Sequence, residues 1–263
     1  ALGRKSICTA TTGCYNIGIG DSAMGGADTT GNYNIGIGHQ ALNALATGDR
    51  NTAIGYEAAR LTTGDANDAP DSDDNTFIGY QAGGGDWADD ADSSKNTAIG
   101  SLAMDDSLNG ATANVALGYG ALGNLQEGDY NIGIGYRALD AETDGHKSIA
   151  IGSDALTAQN QTSDVDAANI AIGHDSSRAI TDGQNNVAVG VYSLDELTTG
   201  NNNVAIGYQA LHQMDSGEED CTGIGYQAGG NLDGGVNNTF VGSGTTVNGA
   251  SDDNNTIIGK GSA

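Results

Sequence analysis

One pentapeptide theme, Asn-[Ile/Val/Thr]-[Ala/Gly]-[Ile/Leu/Val]-Gly, returns in close variants fourteen times in 263 residues. Its closing glycines are Gly20, Gly38, Gly55, Gly79, Gly100, Gly118, Gly135, Gly152, Gly173, Gly190, Gly207, Gly225, Gly242 and Gly259, and Ala1-Leu2-Gly3 reads as the tail of one more. Successive glycines stand 17 or 18 residues apart. The exceptions are 24 between Gly55 and Gly79, and 21 from Gly79 to Gly100 and from Gly152 to Gly173. A short period running end to end marks a solenoid, in which each repeat is one coil completed by its neighbours. The expected fold is all-β: a rod-like parallel β-solenoid of about 14 turns, one repeat domain over 1–263. Opening in mid-repeat, without Met or signal peptide, the chain reads as a fragment of a longer fibre.

Within Asn203-Val204-Ala205-Ile206-Gly207, Val204 and Ile206 share one side of a short strand and Ala205 takes the other. The larger side chains are expected inside, as stacked rows running from Ile19 and Ile37 to Ile206, Ile224 and Ile258. The middle residue is Ala or Gly in eleven of fourteen repeats, Phe77, Phe240 and Ile257 being the exceptions. That small row is expected outside, open to close approach by another chain. On this assignment Ile206→Asp is expected to be costlier than Asn203→Ala. The invariant glycine predicts a φ that other residues tolerate poorly. A second short segment of the Tyr-Gln-Ala-Leu type follows, with too few residues for a stable helix plus a turn, so a second strand or irregular turn is expected. Thr-Gly-Asn/Asp then supplies the turn. The asparagine opening twelve of the fourteen strands predicts a ladder of buried amides, broken at Ser148 and Cys221.

Glycine numbers 43 and proline one, yet no triplet period exists, which excludes collagen. With 5% aromatics the interior must be thin and aliphatic. The net charge of −25 opposes phosphate backbones and anionic lipid surfaces, so nucleic acid is excluded as a partner. No apolar run approaches the ~20 residues of a spanning helix, so membrane insertion is not expected. Cys8 and Cys14 are close enough in sequence to pair or to stay free, whereas Cys221 lies too many turns away to join them.

The segments NTAIGYEA, NVALGYGAL, SIAIGSDAL and NVAIGYQAL resemble the Ala-Ile-Gly head repeats of trimeric autotransporter adhesins of the YadA type. They resemble still more the longer repeats of phage tail fibres and bacterial surface fibres. The resemblance runs from Gly3 to Gly259. It implies a left-handed β-roll, three chains about one axis, and an extracellular place on a virion tail fibre or cell surface. It also implies a role in host attachment through a cell-surface glycan or protein receptor. Alanine at Ala210 and its equivalents, where the adhesin head usually has serine, favours the fibre type. Three chains of −25 would carry −75, a charge to be screened by salt or bound cations.

Insertions near 65–74, 83–95 and 159–168 enter one corner of the repeat, where a solenoid often builds its binding face. Two readings stand for their carboxylates: a calcium site, with Asp71, Asp73, Asp74, Asp89 and Asp90 as candidates, or a solvated acidic loop. Trp87 is the candidate receptor contact, set against packing on its own coil. The tyrosines after the closing glycines are either a glycan-binding row or packing over the corner. Four scattered histidines without a shared partner give catalysis little support, and no cofactor is expected. A structural or adhesive fibre segment is therefore the leading expectation. A fibre-borne polysaccharide depolymerase and a calcium-dependent surface or matrix protein are the rivals.

Overall fold

A computed structural model describes residues 1–8, 12–26, 30–44, 47–60, 72–85, 92–232, 234–246 and 253–261. The chain divides into two compact units, Ala1–Asn131 and Ile132–Ala263. The first carries β1 (Ile17–Ile19), β2 (Ile35–Ile37), β3 (Thr52–Ile54), β4 (Thr76–Ile78), β5 (Thr97–Ile99) and β6 (Val115–Leu117). The second carries β7 (Ile132–Ile134), β8 (Ile149–Ile151), β9 (Ile170–Ile172), β10 (Val187–Val189), β11 (Val204–Ile206), β12 (Thr222–Ile224), β13 (Thr239–Val241) and β14 (Thr256–Ile258). Inside each unit every strand pairs in parallel with the next one in the chain. Each unit is thus a parallel β-solenoid with one three-residue strand per repeat, and no helix occurs among the described residues.

Register survives the long repeats. Thr52 faces Thr76 across 24 residues, and Ile149 faces Ile170 across 21. The extra residues are therefore absorbed entirely in the connecting turn. Leu2 bridges to Ile19, and the Gly20 N–H donates to the Leu2 carbonyl at 2.8 Å, so the N-terminal tripeptide does continue the ladder.

The closing glycines are required by backbone conformation and by space. Gly207 has φ 135°, and a Cβ there would lie 2.3 Å from the Gly225 carbonyl oxygen. No L-residue satisfies both conditions. The Tyr-Gln-Ala-Leu segment is neither strand nor helix. Its second and fourth residues are left-handed, as at Gln40 (φ 55°) and Leu42 (φ 51°). Their N–H groups point in opposite directions along the coil: Gln40 donates back to the Asp21 carbonyl at 3.0 Å, Leu42 forward to Ala58 at 3.1 Å. Each left-handed non-glycine residue costs on the order of 1 kcal/mol in isolation, so the segment persists only because both neighbouring coils bind it.

The assignment of faces is the reverse of the sequence expectation. Ala53, Ala98 and Ala116 in the first unit, and Ala150, Ala171, Ala188 and Ala205 in the second, are fully buried. The isoleucines face outward instead: Ile19 is 39% exposed and Ile206 40%. The reason is the opposite wall. Leu42, Leu122, Leu139, Leu156, Leu194 and Leu211 fill the interior of the coil. A Cβ added at Gly223 would lie 2.7 Å from Cγ of Leu211, and one added at Gly36 2.8 Å from Cγ of Met24. A second large residue does not fit across so narrow a coil. The exceptions obey the same rule. Phe77 and Phe240 are buried at the middle position, and the leucine gives way to Gly83 in the repeat of Phe77 and to Gly229 in the repeat before Phe240. A Cβ at Gly83 would meet the Phe77 ring at 2.5 Å, and one at Gly229 the Phe240 ring at 2.6 Å. The alanine row, being inside, cannot be a surface on which another chain approaches.

The asparagine ladder is present and internal. Asn203 Oδ1 accepts the Cys221 N–H at 2.9 Å, while its Nδ2 donates to the Glu218 carbonyl at 2.8 Å. Asn34 does the same with the Asn51 N–H and the Gly48 carbonyl, each at 2.8 Å. One side chain thus satisfies a strand-entry donor and a turn acceptor that would otherwise be buried without partners. Asn203→Ala is therefore the damaging change and Ile206→Asp the mild one for a single coil.

Candidate functional site

Fourteen strands present two outward positions each, and every one of these is Ile, Val, Leu or Thr. In the first unit Ile17, Ile19, Ile54, Ile99, Val115 and Leu117 are exposed, and in the second Ile151, Ile172, Ile206, Ile224 and Ile258. β-Branched residues predominate because they suit a pleated surface. Parallel pairing in register sets equivalent side chains in files about 4.8 Å apart. Each unit therefore presents a regular, uncharged, apolar face within a chain of net charge −25. A face of this regularity, free of charged groups, is the candidate docking surface of the chain.

The tyrosine row stands beside this face. Tyr56 stacks on Tyr80 with centroids 5.5 Å apart and planes 8° from parallel, and Tyr208 on Tyr226 at 5.5 Å and 11°. Tyr15 and Tyr33, which precede the opening asparagines instead of following the closing glycines, form a separate pair at 5.0 Å. The rings of the row are about half exposed, but each stacked ring covers the face of its neighbour. Edges are left to solvent, and an edge offers little of the flat π-surface on which a sugar stacks. Along the row the rings pack on one another from coil to coil.

Of the candidate metal ligands, Asp73 and Asp74 lie among the described residues; Asp71, Asp89, Asp90 and the candidate receptor contact Trp87 lie outside them. Asp73 and Asp74 are brought together, but around a cation the chain already carries. Arg50 Nη2 is 3.0 Å from Asp73 Oδ2 and 3.1 Å from Asp74 Oδ2, and its Nε donates to Asp74 Oδ1. The other oxygen of Asp73 accepts the Asp49 N–H at 2.6 Å. The hydrogen bond from Arg50 holds the Asp74 carboxyl below the usual carboxylate range, and the guanidinium is raised in turn.

Asp73 belongs to a second ladder that the sequence reading missed. Asp49 Oδ1 accepts the Asn32 N–H, Asp129 Oδ1 the Thr112 N–H, and Asp253 Oδ1 the Val236 N–H, at 2.6, 2.6 and 2.9 Å. Four aspartates are thus turn caps, and Asn32, Ser94 and Asn201 take the same place in other coils. The alternation Asn32, Asp49, Asp73 at one fixed distance before the closing glycine was the signal.

Each histidine has a carboxylate close by: His39 by Asp21, His146 by Asp164, His174 by Asp175 and His212 by Asp195. They stand in different coils. Cys8, Cys14 and Cys221 are free thiols, the first two exposed and the third buried. In comparisons with known proteins, no family model, no curated protein and no solved structure matches this chain. No helix among the described residues is long and apolar enough to cross a membrane.

Proposed function

We propose that this chain is a structural segment of an extracellular attachment fibre, of the phage tail-fibre or cell-surface adhesin kind, working without catalysis. Copies of the chain associate side by side as a homotrimer through the outward strand faces. The observation that carries this reading is the uncharged aliphatic face. Copies carrying −25 each repel over the rest of their surface, and Ile, Val, Leu and Thr files are where they can approach. The files also repeat at one spacing, so a file on one copy matches a file on another without special residues. The repeat resemblance supplies the number three and the outward role of contacting a host glycan or protein receptor.

Light scattering of the purified chain tests this. At about 0.5 M salt, where the Debye length falls to a few ångströms, the mass of three chains is expected. Ile151→Asp with Ile172→Asp should give a monomer whose thermal unfolding shifts little, because these side chains face away from the coil interior. A wild-type monomer in high salt, or a double variant that remains trimeric, refutes the association face.

A further inference from the structure

In the second unit one cluster stands apart from the aliphatic face and from the Arg50 carboxylates. Asp154 and Asp175 occupy the same position, two after the closing glycine, in consecutive coils, and His174 precedes the second of them. Both aspartates are left-handed, at φ 55° and 53°, and their backbones are fixed: Asp154 N–H donates to the Tyr136 carbonyl at 2.8 Å, Asp175 N–H to Ser153 at 3.0 Å. One ligand atom from each of Asp154, His174 and Asp175 lies within 4.8 Å of the others.

The histidine decides what this cluster is for. Its Nδ1 is 3.2 Å from the Ser153 carbonyl oxygen. A carbonyl only accepts, so Nδ1 carries a proton, and Nε2 is free to turn either a second proton or a lone pair toward the carboxylates. That Nε2 faces Asp175 Oδ2 at 3.3 Å. A carboxylate this close calls for a positive partner, which is either a proton on Nε2 or a metal ion held between the two atoms. Tying Nδ1–H to a backbone carbonyl is also how metal-ligating imidazoles are commonly oriented. An edge of about 3.4 Å is what a tetrahedral centre with ~2.0–2.1 Å bonds demands between two ligand atoms.

The same position elsewhere avoids this arrangement. Gln40, Gln81, Gln209 and Gln227 are neutral, and Glu57 is bonded by the Gln81 amide with Arg60 nearby. Only at Asp154 and Asp175 do two carboxylates meet in register. The cation one coil earlier, Arg137, directs its Nε to Asp140 at 2.8 Å and also lies within electrostatic reach of Asp154. The Ser153 hydroxyl donates to Asp154 Oδ2 at 2.8 Å, which orients that carboxylate, and Tyr192 packs against the imidazole with centroids 5.7 Å apart.

We propose that Asp154, His174 and Asp175 bind a divalent transition-metal ion of the zinc class. One imidazole nitrogen and two carboxylates suit such an ion, whereas calcium and magnesium prefer oxygen ligands alone. The proposal does not depend on how copies associate.

The test is a calorimetric titration of the chain with zinc chloride at neutral pH, in excess calcium to occupy plain carboxylate clusters. One saturable site per chain is expected. Asp154→Asn and Asp175→Asn should each weaken it at least tenfold, His174→Ala should abolish it, and His39→Ala should leave it unchanged. His174 is exposed, His39 and Asp154 are half-buried and Asp175 is mostly buried, so circular dichroism checks that each variant folds. Nitrogen NMR of the imidazole should show Nε2 shifting with zinc while Nδ1 keeps its proton. Zinc uptake that survives His174→Ala, that calcium removes, or that leaves Nε2 unmoved overturns the site; an imidazolium salt bridge alone gives the last of these.

Discussion

The asparagine ladder of the second unit is interrupted twice, and the two interruptions are built differently. At Ser148 the short hydroxyl is supplemented from a long turn. Gln159 Nε2 donates to Ser148 Oγ at 2.9 Å and to the buried Glu142 carboxylate, and its Oε1 accepts from Asn169 Nδ2 at 2.9 Å. The other oxygen of Glu142 accepts the N–H groups of Thr143, Gly145 and Gln161. At Cys221 the sulfur takes the asparagine's place without help from a long turn, meeting the Glu219 and Gly235 carbonyls at 3.4 Å and bonding to Asn238 of the next coil. The buried glutamate nearby, Glu218, accepts the Gly234 N–H at 2.7 Å with one oxygen, and its Oε2 has no partner. The same defect is thus repaired by a complete polar network in one place and left partly open in the other. A coil of this kind tolerates a missing amide when the turn is long enough to send one inward.

Gln159→Leu should have the largest effect. It strips partners from Glu142, Ser148 and Asn169 together, so a loss of about 2–4 kcal/mol is expected in urea unfolding. A loss below about 1 kcal/mol would mean that the repair is ornamental.

The open site should answer to pH. Burial raises the Glu218 carboxyl above its usual range. The folded chain therefore keeps a proton that the unfolded chain has released. Stability is greatest at and below the ordinary carboxylate range, falls as pH rises, and levels off above the raised value. Glu218→Gln should flatten that part of the profile, and an unchanged slope would assign it to other groups.

Reciprocal substitutions give the smallest and sharpest contrast. Cys221→Asn should restore the ladder and gain about 1 kcal/mol. Ser148→Asn should lose a similar amount, because Gln159 already fills the space. Equal signs for the two would erase the distinction drawn here.

Much of this was legible from residues alone. The period, the closing glycines, the turns and the buried asparagines each follow from a chemical demand met by few residue types. The inward face was not legible from alternation, because Val204-Ala205-Ile206 announces two faces without ranking them. The usual preference for large residues inside misleads when another segment has already filled the space. The exchange of Phe77 with Gly83, and of Phe240 with Gly229, held the answer: a residue that trades volume with a partner must touch it. The acidic candidates misled for a similar reason. Asp73 was read as a loop carboxylate, whereas its place before the closing glycine made it a turn cap. Asp154, His174 and Asp175 become visible only when the repeats are written one under another.

The stacked glycines carry an evolutionary consequence. Gly207 meets the backbone one coil away so closely that no Cβ fits, and every file of side chains depends on the same offset. Loss of a few codons within a strand would shift the following residues out of their files, and no local adjustment could absorb it. An in-frame gain or loss of a whole coil, 17 or 18 codons, leaves each file matched to its own kind. Near-identical coding repeats are also the substrate on which unequal recombination acts. Gene length in such a lineage should therefore drift in whole-coil steps, with smaller changes confined to the one corner where the insertions already lie.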